Sequence, residues 1–179
     1  KFTRATPWTV SFGETARLEL EFISGIFIRN AHSRFQLREF MADFWLNHFS
    51  VSKSKGSIVS NMALPYERDV IRPNVFGNFR QLVEGVTRSA AMLWYLDNAS
   101  STAKLPNENY SRELMELHTL GVDGGYTQKD VTEVARCFTG WTILQPQRVG
   151  TFIFNARTHD TGEKHVLGVT IPAGGGMED

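Results

Sequence analysis

Between His32 and Phe49 the stretch HSRFQLREFMADFWLNHF sets Leu37, Phe40, Met41, Phe44, Trp45 and His48 at helical spacing. No other stretch constrains the fold as strongly. Side chains three and four residues apart share one side of a helix, so the spacing predicts an amphipathic helix with one wide apolar face turned to a core. His48 lies in register with Leu37, Met41 and Phe44, and its imidazole is expected in the interior. Ser33 followed by Gln36 reads as a capping box that opens this helix.

The pattern is weaker on either side. Leu18, Leu20, Phe22, Ile23, Ile26 and Phe27 predict a helix over 14–30, interrupted by Gly25. SVSKSKGSIVSN reads as a mobile surface loop. MALPYERDVIRPN holds a short helix ending before Pro73, and VFGNFRQLVEGVTRS and AAMLWYLDN give two more amphipathic helices. Asn107 can N-cap the helix in NENYSRELMELHTL, which stops at Gly121, a left-handed cap position. Thr127 and Asp130 then open QKDVTEVARCFTGW, with Val131, Val134, Ala135 and Phe138 on its buried side.

After Gly140 the character changes. WTIL and GTFIFN carry the β-branched and aromatic content of short strands, and QPQRVG between them predicts a hairpin. ARTHDTGEKHVLG is polar and turn-rich, with HVLG re-entering a strand. The expected fold is therefore mainly α: a multi-helix globular domain over 1–141, then a small β-hairpin and loop appendage over 142–179. The appendage is expected to continue into a longer native protein.

Hydrophobic residues at 41% support a packed domain over a disordered one. Lys plus Arg equals Asp plus Glu at 19 each, so no overall field draws the chain to nucleic acid, and no nucleic-acid partner is expected. No run of eighteen apolar residues occurs, hence no expected membrane span. A lone Cys137 rules out an internal disulfide and a Cys-based zinc site, and it reads as a packed small side chain.

FMADFWLNHFSV, MLWYLDN, NENYSRELMELHTLGVDGGYTQKDVTEVARCFTGW and HDTGEKHVLG, in this order, resemble a large bacterial family catalogued as domain of unknown function 1800. The resemblance runs roughly from Leu37 to Gly168. It implies a mostly helical protein, longer than this chain and exported, and it implies no activity. The resemblance also implies a Phe where this chain has His118, which makes His118 a poor candidate for a shared role.

The helix after Asn107 sorts by face. Glu108, Arg112 and Glu116 form an i, i+4, i+8 stripe suited to surface pairing. Tyr110, Leu114 and Leu117 point to the core. Glu113 and Glu116 stand one turn apart, as carboxylates do when they share a cation in helical bundles; two solvated acids are the plainer reading. His48 is a second candidate, either a core imidazole bonded to a carbonyl or a ligand facing a cleft. His159, Asp160 and Lys164 sit in a turn-rich loop. Arg136 is expected to pair with Glu113 or Glu116. His32 and His165 lie in ordinary polar contexts. No nucleophile elbow, phosphate loop, dinucleotide fingerprint or H-E-x-x-H occurs.

The leading expectation is an enzyme-like helical domain with catalytic residues His48, Glu113, Arg136, His159 and Asp160. A divalent metal ion would be held by His48, Glu113, Glu116 and Asp160, activating water or oxygen. One alternative is a non-catalytic structural or interaction module of an exported assembly, whose buried polar networks fix helix packing. A weaker alternative is a haem-dependent oxidase with His48 near the iron. The expected partner is the remainder of its own chain or another protein subunit.

Overall fold

The computed structural model describes residues 12–148 and 150–179, with side chains from Ala16 onward. The fold is mainly α, with two small strand pairs near the C-terminal end. The chain divides into two compact units: one runs to Tyr95 and takes in Leu144–Thr151, and the other joins Leu96–Ile143 to Phe152–Asp179.

The first unit is built from α1 (Phe12–His32), α2 (Gln36–His48), α3 (Ser57–Pro65), α4 (Phe79–Thr87) and α5 (Ala90–Tyr95). A π-helical turn over Tyr66–Ile71 and a 3-10 turn over Arg72–Asn74 join α3 to α4. Its core gathers Phe49, Val59, Met62, Ile71, Leu82, Met92 and Leu93, all buried. The Tyr66 hydroxyl donates to the Phe49 carbonyl at 2.8 Å, and burial pushes its pKa well above the usual phenol range. Asn78 caps α4 by accepting the Arg80 amide, and Leu82 and Val86, one turn apart, give that helix its inner stripe.

Three expectations fail here, each for a physical reason. The segment read as a mobile loop turns helical at Ser57, because Val59, Met62 and Ala63 supply a buried stripe. The capping box is absent. Phe35 occupies the N-cap without a side-chain bond; the Ser33 hydroxyl accepts from the Phe35 amide, and Gln36 Nε2 donates to the Ser33 carbonyl.

The third failure concerns the orientation of α2. This helix buries Glu39 and Ala42, while Leu37, Phe40 and Phe44 are 66%, 68% and 48% exposed. Glu39 turns inward because two arginines from elsewhere in the unit meet it, and the aromatic stripe is thereby carried outward. His48 is half-buried, with Trp45 and Phe49 edge-on at ring separations of 5.7 and 4.5 Å.

The second unit holds α6 (Glu108–Glu113), a π-helical turn over Leu114–Thr119, α7 (Gln128–Cys137) and most of the strands β1 (Trp141–Leu144), β2 (Thr151–Phe154), β3 (Lys164–Val166) and β4 (Val169–Ile171). Asn107 caps α6 as expected, accepting the Asn109 amide. The Leu120 amide then reaches back five residues to the Met115 carbonyl at 2.8 Å. This wider turn rotates the side-chain register. Met115 and His118 face inward and Leu117 faces solvent, correcting the core position expected for Leu117.

Gly121 takes the left-handed conformation at φ +86° and closes the helix. α7 opens with the reciprocal cap expected of Thr127 and Asp130 and buries Val131, Val134 and Ala135. Phe138 packs edge-on to both Tyr110 and Trp141 at about 5 Å.

β1 pairs with β2, matching the expected hairpin. β3 and β4 are antiparallel, with Lys164 opposite Ile171 and Val166 opposite Val169. Between them Leu167 and Gly168 both have positive φ, 49° and 81°, the two-residue turn whose twist suits a tight hairpin.

Candidate functional site

Arg136 is the hub of the second unit's polar groups. It sits in the last turn of α7, and its fork spans two carboxylates. Nε and Nη2 donate to Asp160 at 2.8 and 3.2 Å, and Nη1 donates to both oxygens of Glu133 at 3.0 and 2.9 Å. Nη1 also reaches the Glu163 carbonyl at 3.0 Å. Expectation had paired Arg136 with Glu113 or Glu116. Glu133 wins because it lies one turn earlier on the same helix, and Asp160 because the loop after β2 folds over that helix end.

Charge follows geometry. The Arg136 guanidinium holds the Asp160 carboxyl below its usual range. Burial pushes Glu133 up, but the His165 amide and Arg136 more than offset it, leaving the carboxyl below its ordinary value. Asp160 and Glu133 in turn push the Arg136 guanidinium still higher, so it stays charged.

His159 is buried beside this network but turns to different partners. Nδ1 lies 2.7 Å from the Thr139 carbonyl, to which it donates, and Nε2 lies 3.1 Å from Asp179 Oδ2. The fully buried Lys164 donates to the same carboxylate oxygen at 2.7 Å and to the Gly162 carbonyl at 3.2 Å. Thr139 ties the two groups together, its hydroxyl accepting the Asp160 amide at 2.8 Å and donating to the Arg136 carbonyl at 2.6 Å. Gly140 follows at φ +79°, where a Cβ would stand 2.7 Å from the Asn155 carbonyl oxygen. Only glycine lets the backbone approach this closely.

The second unit therefore brings Arg136, His159 and Asp160 into one region through Thr139. Glu113 and Glu116 are half-exposed, and neither forms a hydrogen bond or ion pair with a described residue. His48 belongs to the first unit. Among the described residues, no three His, Cys, Asp or Glu side chains form a group able to hold a metal ion. Cys137 is a poor nucleophile, its thiol pushed up to about 11 by burial.

Sequence reasoning passed over two acids, Glu39 and Glu67, at 5% and 2% exposure the most deeply buried carboxylates among the described residues of the first unit. Arg72 grips Glu39 with two bonds of 2.7 and 2.9 Å and approaches Glu67 at 3.4 Å. Arg29 reaches Glu67 at 2.6 Å and comes within 3.7 Å of Glu39. The bonds from Arg72 lead in holding the Glu39 carboxyl below its usual range despite burial. A cavity of about 10 Å³ adjoins the four side chains, too small for a substrate. The signal for Glu39 was present in the sequence as an acid set among Leu37, Phe40 and Met41, but its partners lie 10 and 33 residues away.

Residues 12–179 match the family described as Protein of unknown function (DUF1800). The chain belongs to this family. No curated protein and no solved structure matches it.

In this DUF1800 chain the outward side of α2 is the other feature able to meet a ligand. Phe35, Leu37, Phe40 and Phe44 stand exposed, and so do the side chains of His32 at the end of α1, Arg34 on the turn that follows and Arg38 in the first turn of α2. None of those three basic groups has a carboxylate partner among the described residues; Arg38 makes one long bond of 3.5 Å to the Arg72 carbonyl. α1 exposes a second apolar stripe, Leu20, Ile23 and Phe27.

Proposed function

We propose that this chain is a non-catalytic interaction module, whose α2 face binds an amphipathic helix of a separate protein subunit through an apolar stripe flanked by acidic residues. One observation carries the reading: α2 turns its aromatic side outward while its buried side is spent on Glu39. Large exposed apolar patches mark interaction surfaces, and Leu37, Phe40 and Phe44 recur at the i, i+3, i+7 spacing that receives a helix. His32, Arg34 and Arg38 beside the stripe, without a carboxylate partner among the described residues, select an acidic rim on the partner and disfavour a second copy of the same basic turn. Three basic groups fall short of the four to eight that mark an anionic lipid surface.

Of the polar residues first considered for catalysis, Arg136, His159 and Asp160 have structural partners that suit this reading. Arg136 joins α7 to the loop carrying Asp160, and Lys164 and His159 share Asp179. The assembly is taken to be an exported bacterial one, as the family resemblance implies.

The test uses the purified chain and two labelled helical peptides with the same leucine stripe, one flanked by Glu and one by Lys. Fluorescence anisotropy is expected to show binding of the Glu peptide at least 10-fold tighter than the Lys peptide, and Phe40→Glu with Phe44→Glu should abolish it. These substitutions lie on the surface, so circular dichroism should be unchanged. Equal binding of both peptides, a dimer by light scattering that is lost in the same variant, or co-sedimentation with anionic vesicles in place of peptide binding would each overturn the proposal.

A further inference from the structure

The first unit also contains a pocket of about 220 Å³ between α1, α2 and α3. Its walls mix two chemistries. Phe22, Leu46, Ala63 and Tyr66 give an apolar surface, and Lys53 and Asn47 stand at its edge. Pockets of this composition, mostly apolar with a few fixed polar groups, take small molecules and orient them by the polar end.

Lys53 is the group that defines the ligand. Its ammonium lies over the Phe22 ring, 4.5 Å from the centroid, an attraction that holds the charge at the pocket rather than in solvent. No described residue gives it a hydrogen bond or an ion pair. Burial lowers its pKa and Glu19 partly offsets that; Lys53 is half-buried, and no described carboxylate touches its ammonium. Asp43 also borders the pocket, but it is exposed and already accepts the Asn47 amide at 3.4 Å. Of the two charges, the ammonium has more to gain from an incoming partner.

We infer that this pocket binds a small carboxylate with an apolar or aromatic body, the carboxylate meeting Lys53 Nζ and the body packing against Phe22, Leu46, Ala63 and Tyr66. Such a ligand brings an anion into direct contact with the ammonium and covers apolar wall in the same event. The volume limits it to a compact molecule, and an affinity of roughly 1–10 mM is expected for a probe of about ten heavy atoms. The inference is independent of the α2 docking face, because Leu37, Phe40 and Phe44 do not line the pocket.

The probes are phenylacetate and phenethylamine, alike in body and opposite in charge, titrated into the whole chain and followed by ligand-observed NMR. Phenylacetate is expected to bind and phenethylamine not to. Lys53→Met, which keeps the aliphatic stem, should weaken phenylacetate at least 10-fold, and Lys104→Met should leave it unchanged. The unaltered protein gives a second readout needing no variant: phenylacetate should slow acetylation of Lys53 by acetic anhydride at least threefold, without protecting Lys104, as resolved by peptide mass spectrometry. Binding of phenethylamine as tightly as phenylacetate, full binding by Lys53→Met, or no protection of Lys53 would overturn the inference.

Discussion

Replacing Arg72 with Met tests the claim that α2 is inverted because Glu39 is held inside. In the folded protein Arg72 supplies both short bonds to Glu39, at 2.7 and 2.9 Å, and Glu39 and Glu67 are 5% and 2% exposed. Without Arg72 the nearest remaining cation to Glu39 is Arg29, at 3.7 Å. Removing one partner of a buried ion pair costs about 3–5 kcal/mol, because the other charge stays buried without compensation. The remaining Arg29 places this case at the lower end, about 3 kcal/mol. With a urea dependence of about 2 kcal/mol per molar, the unfolding midpoint should fall by about 1.5 M at pH 7.

The pH dependence carries a definite sign. Arg72 holds the Glu39 carboxyl below its usual range, so the pair's stabilisation is complete above the unfolded carboxyl value and is lost as pH falls through the folded one. In Arg72→Met burial is opposed only by the Ser33 hydroxyl and by Arg29, so the Glu39 pKa rises from its value in the intact protein and the deficit should shrink as the pH is lowered from 7 towards about 5. Adding Glu39→Gln should recover part of the loss at pH 7. Urea unfolding followed by circular dichroism reads all three. A midpoint shift below about 0.5 M, or a deficit that does not change with pH, would show that the buried cluster does not set the orientation of α2.

Two further outcomes follow from the second unit. Arg136→Lys keeps the charge but loses the fork across Glu133 and Asp160; about 2 kcal/mol of stability should go, and hydrogen exchange at the Gly162 and His165 amides should quicken while that at Val131 does not. Uniform exchange at all three would count against Arg136 as the clamp. Asp130 is depressed to about 2, chiefly by the Thr127 hydroxyl and amide and also by the Leu167 amide. Its contribution should be complete above about 3.9, the ordinary carboxyl value, and disappear as pH falls through about 2. A carboxyl-carbon NMR titration with a midpoint near 3.9 would contradict that arrangement.

What the sequence revealed depended on how far each interaction reaches along the chain. Thr127 and Asp130 cap α7 within a single turn, and Asn107 reaches only to Asn109, so both helix starts were legible. The β1–β2 pair was also legible, from the β-branched and aromatic runs after Gly140, and HVLG marked β3, but its partner β4 was not read. The face of α2 was not. Apolar spacing reports that a helix has two sides, and the side turned inward was decided by Arg29 and Arg72, from other elements.

The π-helical turn over Leu114–Thr119 misled the reading of Leu117 in the same way, because a 3.6-residue period assumes an undistorted helix. For the candidate site, Arg136, His159 and Asp160 were found as residues, but their partners were not. Neither Glu133 nor Asp179 was singled out. The exposed aromatic stripe was visible as a pattern and read for the wrong side.

The β3–β4 hairpin is moored to α7 by its own main chain: Glu133 accepts the His165 amide at 2.8 Å and Asp130 accepts the Leu167 amide at 2.7 Å. Every amino acid except proline offers such an N–H. The anchorage therefore depends little on which side chains the hairpin carries at those two positions, and the requirement for particular residues falls on the two helix acids. His165 is a place where foreign side chains could be displayed while the mooring stays in place; Leu167, at φ 49°, also disfavours β-branched residues, and proline is the replacement that would cast it off.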